Sequence, residues 1–100
     1  MPYFLKILSA PLEKMAGVKV PLAEGANVIG RSVPPCTIRL DGSKVSKKHC
    51  TVTLLGGMVA IDDNGSSNGI FVNGSKVSQA TLKAGDRLVI GEFILEVTVK

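Results

Sequence analysis

Arginine, lysine, serine and asparagine occur in three short loop-like segments of the chain, Gly30-Arg31, Ser46-Lys47-Lys48-His49 and Ser66-Ser67-Asn68-Gly69. Each residue type brings its own chemistry. A guanidinium presents a rigid fork of donors that matches a phosphate, and a lysine adds a point charge. A serine hydroxyl adds a further donor, and an asparagine amide both donates to and accepts from a peptide unit. Together these types suit a phosphate held beside a peptide backbone, so the chain reads as a reader of phosphorylated protein.

Bond-breaking chemistry fits less well. Ser46 with His49 offers a nucleophile and a base, but a hydrolase also needs an orienting group within hydrogen-bond reach. Cys50 follows His49, and neighbours on a strand point to opposite faces. The chain is therefore expected not to be an enzyme. The two cysteines, Cys36 and Cys50, stand 14 residues apart with no CxxC motif, which predicts reduced thiols and neither a disulfide nor a metal site. No cofactor is called for.

The 100 residues carry a net charge of +4 and a pI near 9.3, which favours an anionic partner. Nucleic acid is the obvious rival, and small β domains that bind it join a basic groove to aromatic stacking platforms. Here the aromatics are Tyr3, Phe4, Phe71 and Phe93, and three of them fall in runs that read as core strands, so no nucleic-acid partner is expected. No apolar run approaches the roughly 18 residues of a membrane span, and the amino terminus lacks the pattern of a secretory signal. The expectation is one domain over residues 1–100, cytoplasmic, with no membrane insertion.

The elements that must position the loops read as short strands: Tyr3 to Leu8, Val18 to Leu22, Asn27 to Gly30, Thr37 to Leu40, His49 to Leu55, Met58 to Asp62, Ile70 to Val72, Arg87 to Ile90 and Phe93 to Val99. In the last, Phe93, Leu95, Val97 and Val99 alternate with Ile94, Glu96, Thr98 and Lys100, the period of a strand with one buried face. Gly56-Gly57, Asn73-Gly74 and Gly91-Glu92 predict tight hairpin turns. No segment keeps a helical spacing, so the strands must cover one another as a two-sheet β-sandwich. The strand from His49 reverses at Gly56-Gly57 and returns to Asp62, which brings the Ser46 loop and the Asn64 to Gly69 loop to one end. For Gly30-Arg31 the same reasoning leaves either edge open. Lys47 and Lys48 alternate sides if they open a strand, so at most one faces a ligand, and Lys48 is the expected bystander.

Gly30-Arg31 at a strand end, Ser46 with His49, Ser66-Ser67-Asn68-Gly69, Val72-Asn73-Gly74 and Gly85-Asp86 follow in an order and spacing that resembles the forkhead-associated (FHA) domain over nearly the whole chain. The resemblance implies an all-β sandwich of about eleven strands that binds phosphothreonine in a protein phosphorylated by a Ser/Thr kinase. Arg31 and Ser46 match phosphate contacts, Lys47 a residue that helps hold the phosphoamino acid, and Ser67 and Asn68 the pair that touches the phosphoresidue and the backbone after it. His49 matches an inward histidine bracing the loops, and Gly30 and Gly69 match glycines that shape the site. Ile70 and Cys50 depart from the commoner threonine and small residue, and both are expected to face packing. A preference for threonine over serine is implied by the resemblance alone. Val33 to Cys36 and Asn64 to Ser66 are expected to set preference for later peptide positions. An FHA fold that binds its partner without phosphate is the alternative, and phosphatase treatment of the partner separates the two.

Overall fold

The computed structural model describes residues 2–32 and 36–99. Val33 to Pro35, expected to contribute to peptide preference, and Lys100, expected on the wet face of the last strand, lie outside the described residues.

Eleven strands run in order: β1 (Tyr3–Ser9), β2 (Lys19–Pro21), β3 (Gly25–Gly30), β4 (Ile38–Arg39), β5 (Cys50–Leu55), β6 (Met58–Asp63), β7 (Ile70–Val72), β8 (Ser75–Val77), β9 (Gln79–Leu82), β10 (Arg87–Ile90) and β11 (Phe93–Val99). They form one sheet ordered β2-β1-β11-β10-β7-β8 and a second ordered β4-β3-β5-β6-β9, the expected sandwich. A short 3-10 turn at Glu13–Met15 is the sole helical element among the described residues.

Inward-facing residues alternate along the strands as the period of two requires. Leu5, Ile7, Leu88, Ile90, Phe93, Leu95 and Val97 from one sheet meet Ile29, Cys50, Val52, Val59 and Ile61 from the other, all essentially without exposure. Both residues flagged as departures, Ile70 and Cys50, are in this core. Of the aromatics only Phe93 is fully buried. Phe4 and Phe71 are half-buried on strands separated by β11 and β10, and Phe4 carries the Lys19 ammonium 5.9 Å from its ring centre.

Three hairpins turn where glycine pairs or Asn-Gly predicted. Gly56-Gly57 closes β5 onto β6 with Leu55 opposite Met58, and Asn73-Gly74 closes β7 onto β8, with positive φ at both central residues in each. Gly91-Glu92 closes β10 onto β11 with positive φ at Gly91 only.

β8 and β9 fall outside the nine runs read from the sequence. Both are short edge strands: β8 buries neither face fully, and β9 alternates over only four residues, Ala80 and Leu82 inward and Gln79 and Thr81 outward, a run too brief to mark a strand by its period. The ambiguity over Gly30-Arg31 is settled by β4, which pairs in parallel with β3, Ile29 opposite Ile38 and Gly30 opposite Arg39. The segment after Gly30 thus turns over the end of β3, the end from which β5 departs.

Candidate anion-binding site

The chain from Leu40 to His49 links β4 to β5 of the same sheet, pinned by the buried side chains of Leu40 and Val45. Its second half lies against the end of β3: the Arg31 amide donates to the Ser46 carbonyl at 3.0 Å, Ser32 to Lys47 at 3.2 Å, and His49 to Ile29 at 2.8 Å. Gly30 makes the approach possible. A Cβ there would collide with the Lys47 carbonyl oxygen and come within 2.7 Å of the Cys36 sulfur.

The third loop locks onto the second from the other side. The Ser67 amide donates to Ser46 Oγ at 3.1 Å, and Asn68 Nδ2 donates to the Lys44 carbonyl at 3.0 Å. Beneath both, His49 is completely buried. Its Nδ1 accepts from the Ser46 amide at 3.0 Å, and its Nε2 lies 2.8 Å from the Gly69 carbonyl oxygen. An amide can only donate and a carbonyl can only accept, so the ring is neutral with its proton on Nε2. His49, expected to face inward, lies between the Ser46 loop and the Gly69 turn and contacts both. Gly69 adopts a left-handed φ of 77°, which turns its carbonyl down to the ring. Ser66 caps this turn, its Oγ accepting from the Gly69 amide, while Asn64 Nδ2 donates to Thr51 Oγ1. Both residues therefore commit polar groups within their own surroundings.

On the rim above these contacts is an open depression of about 100 Å³ lined by Arg31, Ser43, Lys44, Val45, Ser46, Ser67 and Asn68. Four of the five residues expected to contact ligand are thus brought together. The fifth, Lys47, is exposed beside the depression and does not line it; its carbonyl faces inward, accepting from Ser32 and from the Cys36 thiol. Lys48 is also exposed and outside the lining. Lys44 and Ser43 were not among the expected contacts, because 41–44 reads as a polar connector with no apolar period.

Hydrogen-bond accounting shows what the rim has left to offer. Ser46 Oγ spends an acceptor lone pair on Ser67 and keeps its own proton to donate. Asn68 spends its amide nitrogen on Lys44 and keeps its oxygen. The two ion pairs among the described residues are Arg39 with Asp41 at 3.7 Å and Arg87 with Glu96 at 3.9 Å, so neither Arg31 nor Lys44 is neutralised by a carboxylate. Unpaired cations and a free hydroxyl proton around one small hollow are donors for an oxyanion, and the Asn68 amide oxygen beside them is an acceptor for a peptide N–H. A larger hollow of about 250 Å³ lies along β6 and β9, lined by residues such as Ala60, Asp62 and Thr81, and carries no cation.

The thiols are buried and free. Cys36 donates to Lys47, and burial, helped by Asp63 and Cys36, pushes the Cys50 pKa up to about 12.

A β-sandwich whose loops gather unpaired donors at one end defines a class of peptide-binding modules. Within that class the chain belongs to the FHA domain family, whose profile matches residues 27–91. It is 39% identical over 80 residues to the glycogen accumulation regulator GarA of Mycolicibacterium smegmatis, a match covering 80% of this chain and 50% of that protein. An FHA domain from a structural and functional analysis of phosphothreonine-dependent FHA interactions superposes with a TM-score of 0.87 at 27% identity, covering 100% of this chain and 98% of that one. The FHA domain of the CT664 protein from Chlamydia trachomatis gives 0.87 at 27% identity, covering 100% and 99%. The chain spans about half the length of the curated relatives it matches. No helix among the described residues is long and apolar enough to cross a membrane.

Proposed function

We propose that this chain is a phosphothreonine-dependent protein-binding module whose partner is a protein phosphorylated by a Ser/Thr kinase. Arg31, Ser46 and Lys44 hold the phosphate, and Lys47, next to Ser46 in the chain and outside the lining, adds to the positive charge of this end. Ser67 and Asn68 take the residue that bears the phosphate and the backbone that follows it. The observation that carries this reading is the small depression lined by Arg31, Lys44, Ser46, Ser67 and Asn68, whose cations have no carboxylate partner among the described residues. Its volume of about 100 Å³ is well below the roughly 300–1,000 Å³ of clefts that swallow a whole small molecule, so it suits one group of a ligand lying across the surface. The phosphothreonine-dependent interactions of a structural relative support the same choice.

Binding, not catalysis, is the proposed activity. Both ring nitrogens of His49 are committed to backbone groups, so the Ser46 hydroxyl has no base at hand, and the Cys50 thiol stays protonated at neutral pH. We place residues 1–100 in a single domain and, from the two free thiols, in a reducing compartment such as the cytoplasm.

The test is titration of a degenerate phosphothreonine peptide pool against its phosphoserine and unphosphorylated counterparts. A phosphate bound by Arg31 gains two charge-assisted hydrogen bonds of about 1.5 to 3 kcal/mol each, so Arg31→Ala should weaken binding at least about 100-fold. Equal binding to all three pools overturns the reading.

A further inference from the structure

We infer that Glu92, on the opposite sheet and outside the rim, is a positioning residue for the anion pocket: its carboxylate fixes the Ser43-Lys44 segment that forms one wall. This rests on the anion-binding reading of that pocket. Glu92 lies in the β10–β11 turn, 49 residues from Ser43 in sequence, yet Ser43 Oγ donates to Glu92 Oε2 at 2.6 Å and the Lys44 amide donates to Glu92 Oε1 at 3.0 Å. One carboxylate therefore grips two successive residues of the wall.

The grip is reinforced by close packing. A Cβ on Gly91 would stand 2.7 Å from Val45 Cγ2 and 3.0 Å from the Lys44 carbonyl carbon, and one on Gly42 would collide with the Glu92 carboxylate. The turn and the wall thus touch at Gly42, Ser43, Lys44 and Val45. From its other side Lys44 is held by Asn68 Nδ2 on its carbonyl oxygen. Its backbone N–H and C=O are both spoken for before any ligand arrives, which leaves the ammonium as the group Lys44 can bring to a phosphate. Holding its backbone in place reduces the ordering cost when the phosphate binds.

The negative charge of Glu92 near an anion site would by itself repel phosphate, so its presence there needs a compensating role, and the two hydrogen bonds supply it. Consistent with the geometry, the carboxyl is held below its ordinary pKa, chiefly by the Ser43 hydroxyl.

The experiment compares Glu92→Ala, Glu92→Gln and Ser43→Ala with the parent chain, using the phosphothreonine peptide pool for affinity and amide hydrogen exchange at Lys44 for the grip itself. Glutamine keeps an oxygen to accept from Lys44 and a nitrogen that can donate to Ser43 Oγ. The expected result is a roughly 10-fold loss of affinity and faster Lys44 exchange in Glu92→Ala, with affinity and protection largely restored in Glu92→Gln. Ser43→Ala, which removes one of the two bonds, should fall between them. Unchanged or tighter binding by Glu92→Ala overturns the inference, because the carboxylate would then be idle or merely repulsive. Glu92→Gln as weak as Glu92→Ala also overturns it, because charge and not position would matter. If the parent chain binds no phosphopeptide, the function proposed above fails, and the inference falls with it even if Lys44 exchange rises in Glu92→Ala, since the contact would then be structural alone.

Discussion

Replacing His49 with phenylalanine keeps a flat ring of similar bulk in the core and removes both of its polar contacts. The Ser46 amide and the Gly69 carbonyl, 3.0 and 2.8 Å from the ring nitrogens, would then face an apolar edge at a position with no exposure. A buried backbone group stripped of its partner costs about 1 to 3 kcal/mol, so the pair amounts to about 2 to 6 kcal/mol. A domain of this size has about 5 to 15 kcal/mol in hand, so the variant should fold but be visibly weakened. Urea denaturation should show the loss, and the melting temperature should drop by about 8 °C or more, taking about 4 °C per kcal/mol as the lower bound. Affinity for phosphothreonine peptide, measured cold where the variant is still folded, should also fall, because the imidazole is what ties the Ser46 loop to the Gly69 turn. A stability loss below about 1 kcal/mol would mean that the loops relax around the missing bonds. Undiminished affinity in a folded variant would mean that the imidazole does not position Ser46. Either result refutes the role assigned to it.

Gly30→Ala should cost about 1 to 3 kcal/mol in chemical denaturation and weaken phosphopeptide binding, because the added methyl collides with the Lys47 carbonyl and the Cys36 sulfur and pushes the Ser46-Lys47 loop off the end of β3. Cys50 should resist alkylation at pH 8 in the native chain and react once the chain is unfolded, as mass spectrometry of labelled peptides would show. Its pKa rises from 9.0 to about 12 on folding, so above pH 9 the unfolded thiol ionises while the folded one keeps its proton, and stability falls by about 1.4 kcal/mol per pH unit up to about pH 12. Cys50→Ala should remove that contribution from the alkaline limb of a stability–pH profile.

What could be read in the chain follows from how local its causes are. Gly56-Gly57 and Asn73-Gly74 announce their hairpins because glycine and asparagine tolerate the left-handed φ that one common kind of two-residue turn requires at both central positions. The alternation in Phe93 to Val99 announces a strand because one face is packed and the other wet. β8 is silent for the converse reason: on a sheet edge, Ser75 and Lys76 stay in water, so no alternation is imposed, and β9 alternates over four residues only. The same distinction runs through the site. Arg31, Ser46, Ser67 and Asn68 stand out as a motif, and the fold gathers them around one hollow.

Lys44 and Glu92 were illegible because nothing local distinguishes a lysine in a polar connector, or a glutamate in a turn, from a solvated charge. Their meaning comes from the fold, which brings residue 43, on the β4–β5 connection of one sheet, against residue 92, on the β10–β11 turn of the other. Lys47, adjacent to the motif serine, looked better placed than Lys44. Yet Ser46 turns its hydroxyl toward the rim, and Lys47 directs its carbonyl into the gap left by Gly30 and its side chain into solvent beside the hollow. Three residues upstream of Lys47, Lys44 is held at the rim by Asn68 on one side and Glu92 on the other. If position and not proximity in sequence decides which lysine meets the phosphate, Lys44→Ala must weaken phosphopeptide binding more than Lys47→Ala. The reverse order, measured by titration at one ionic strength, would return the role to Lys47.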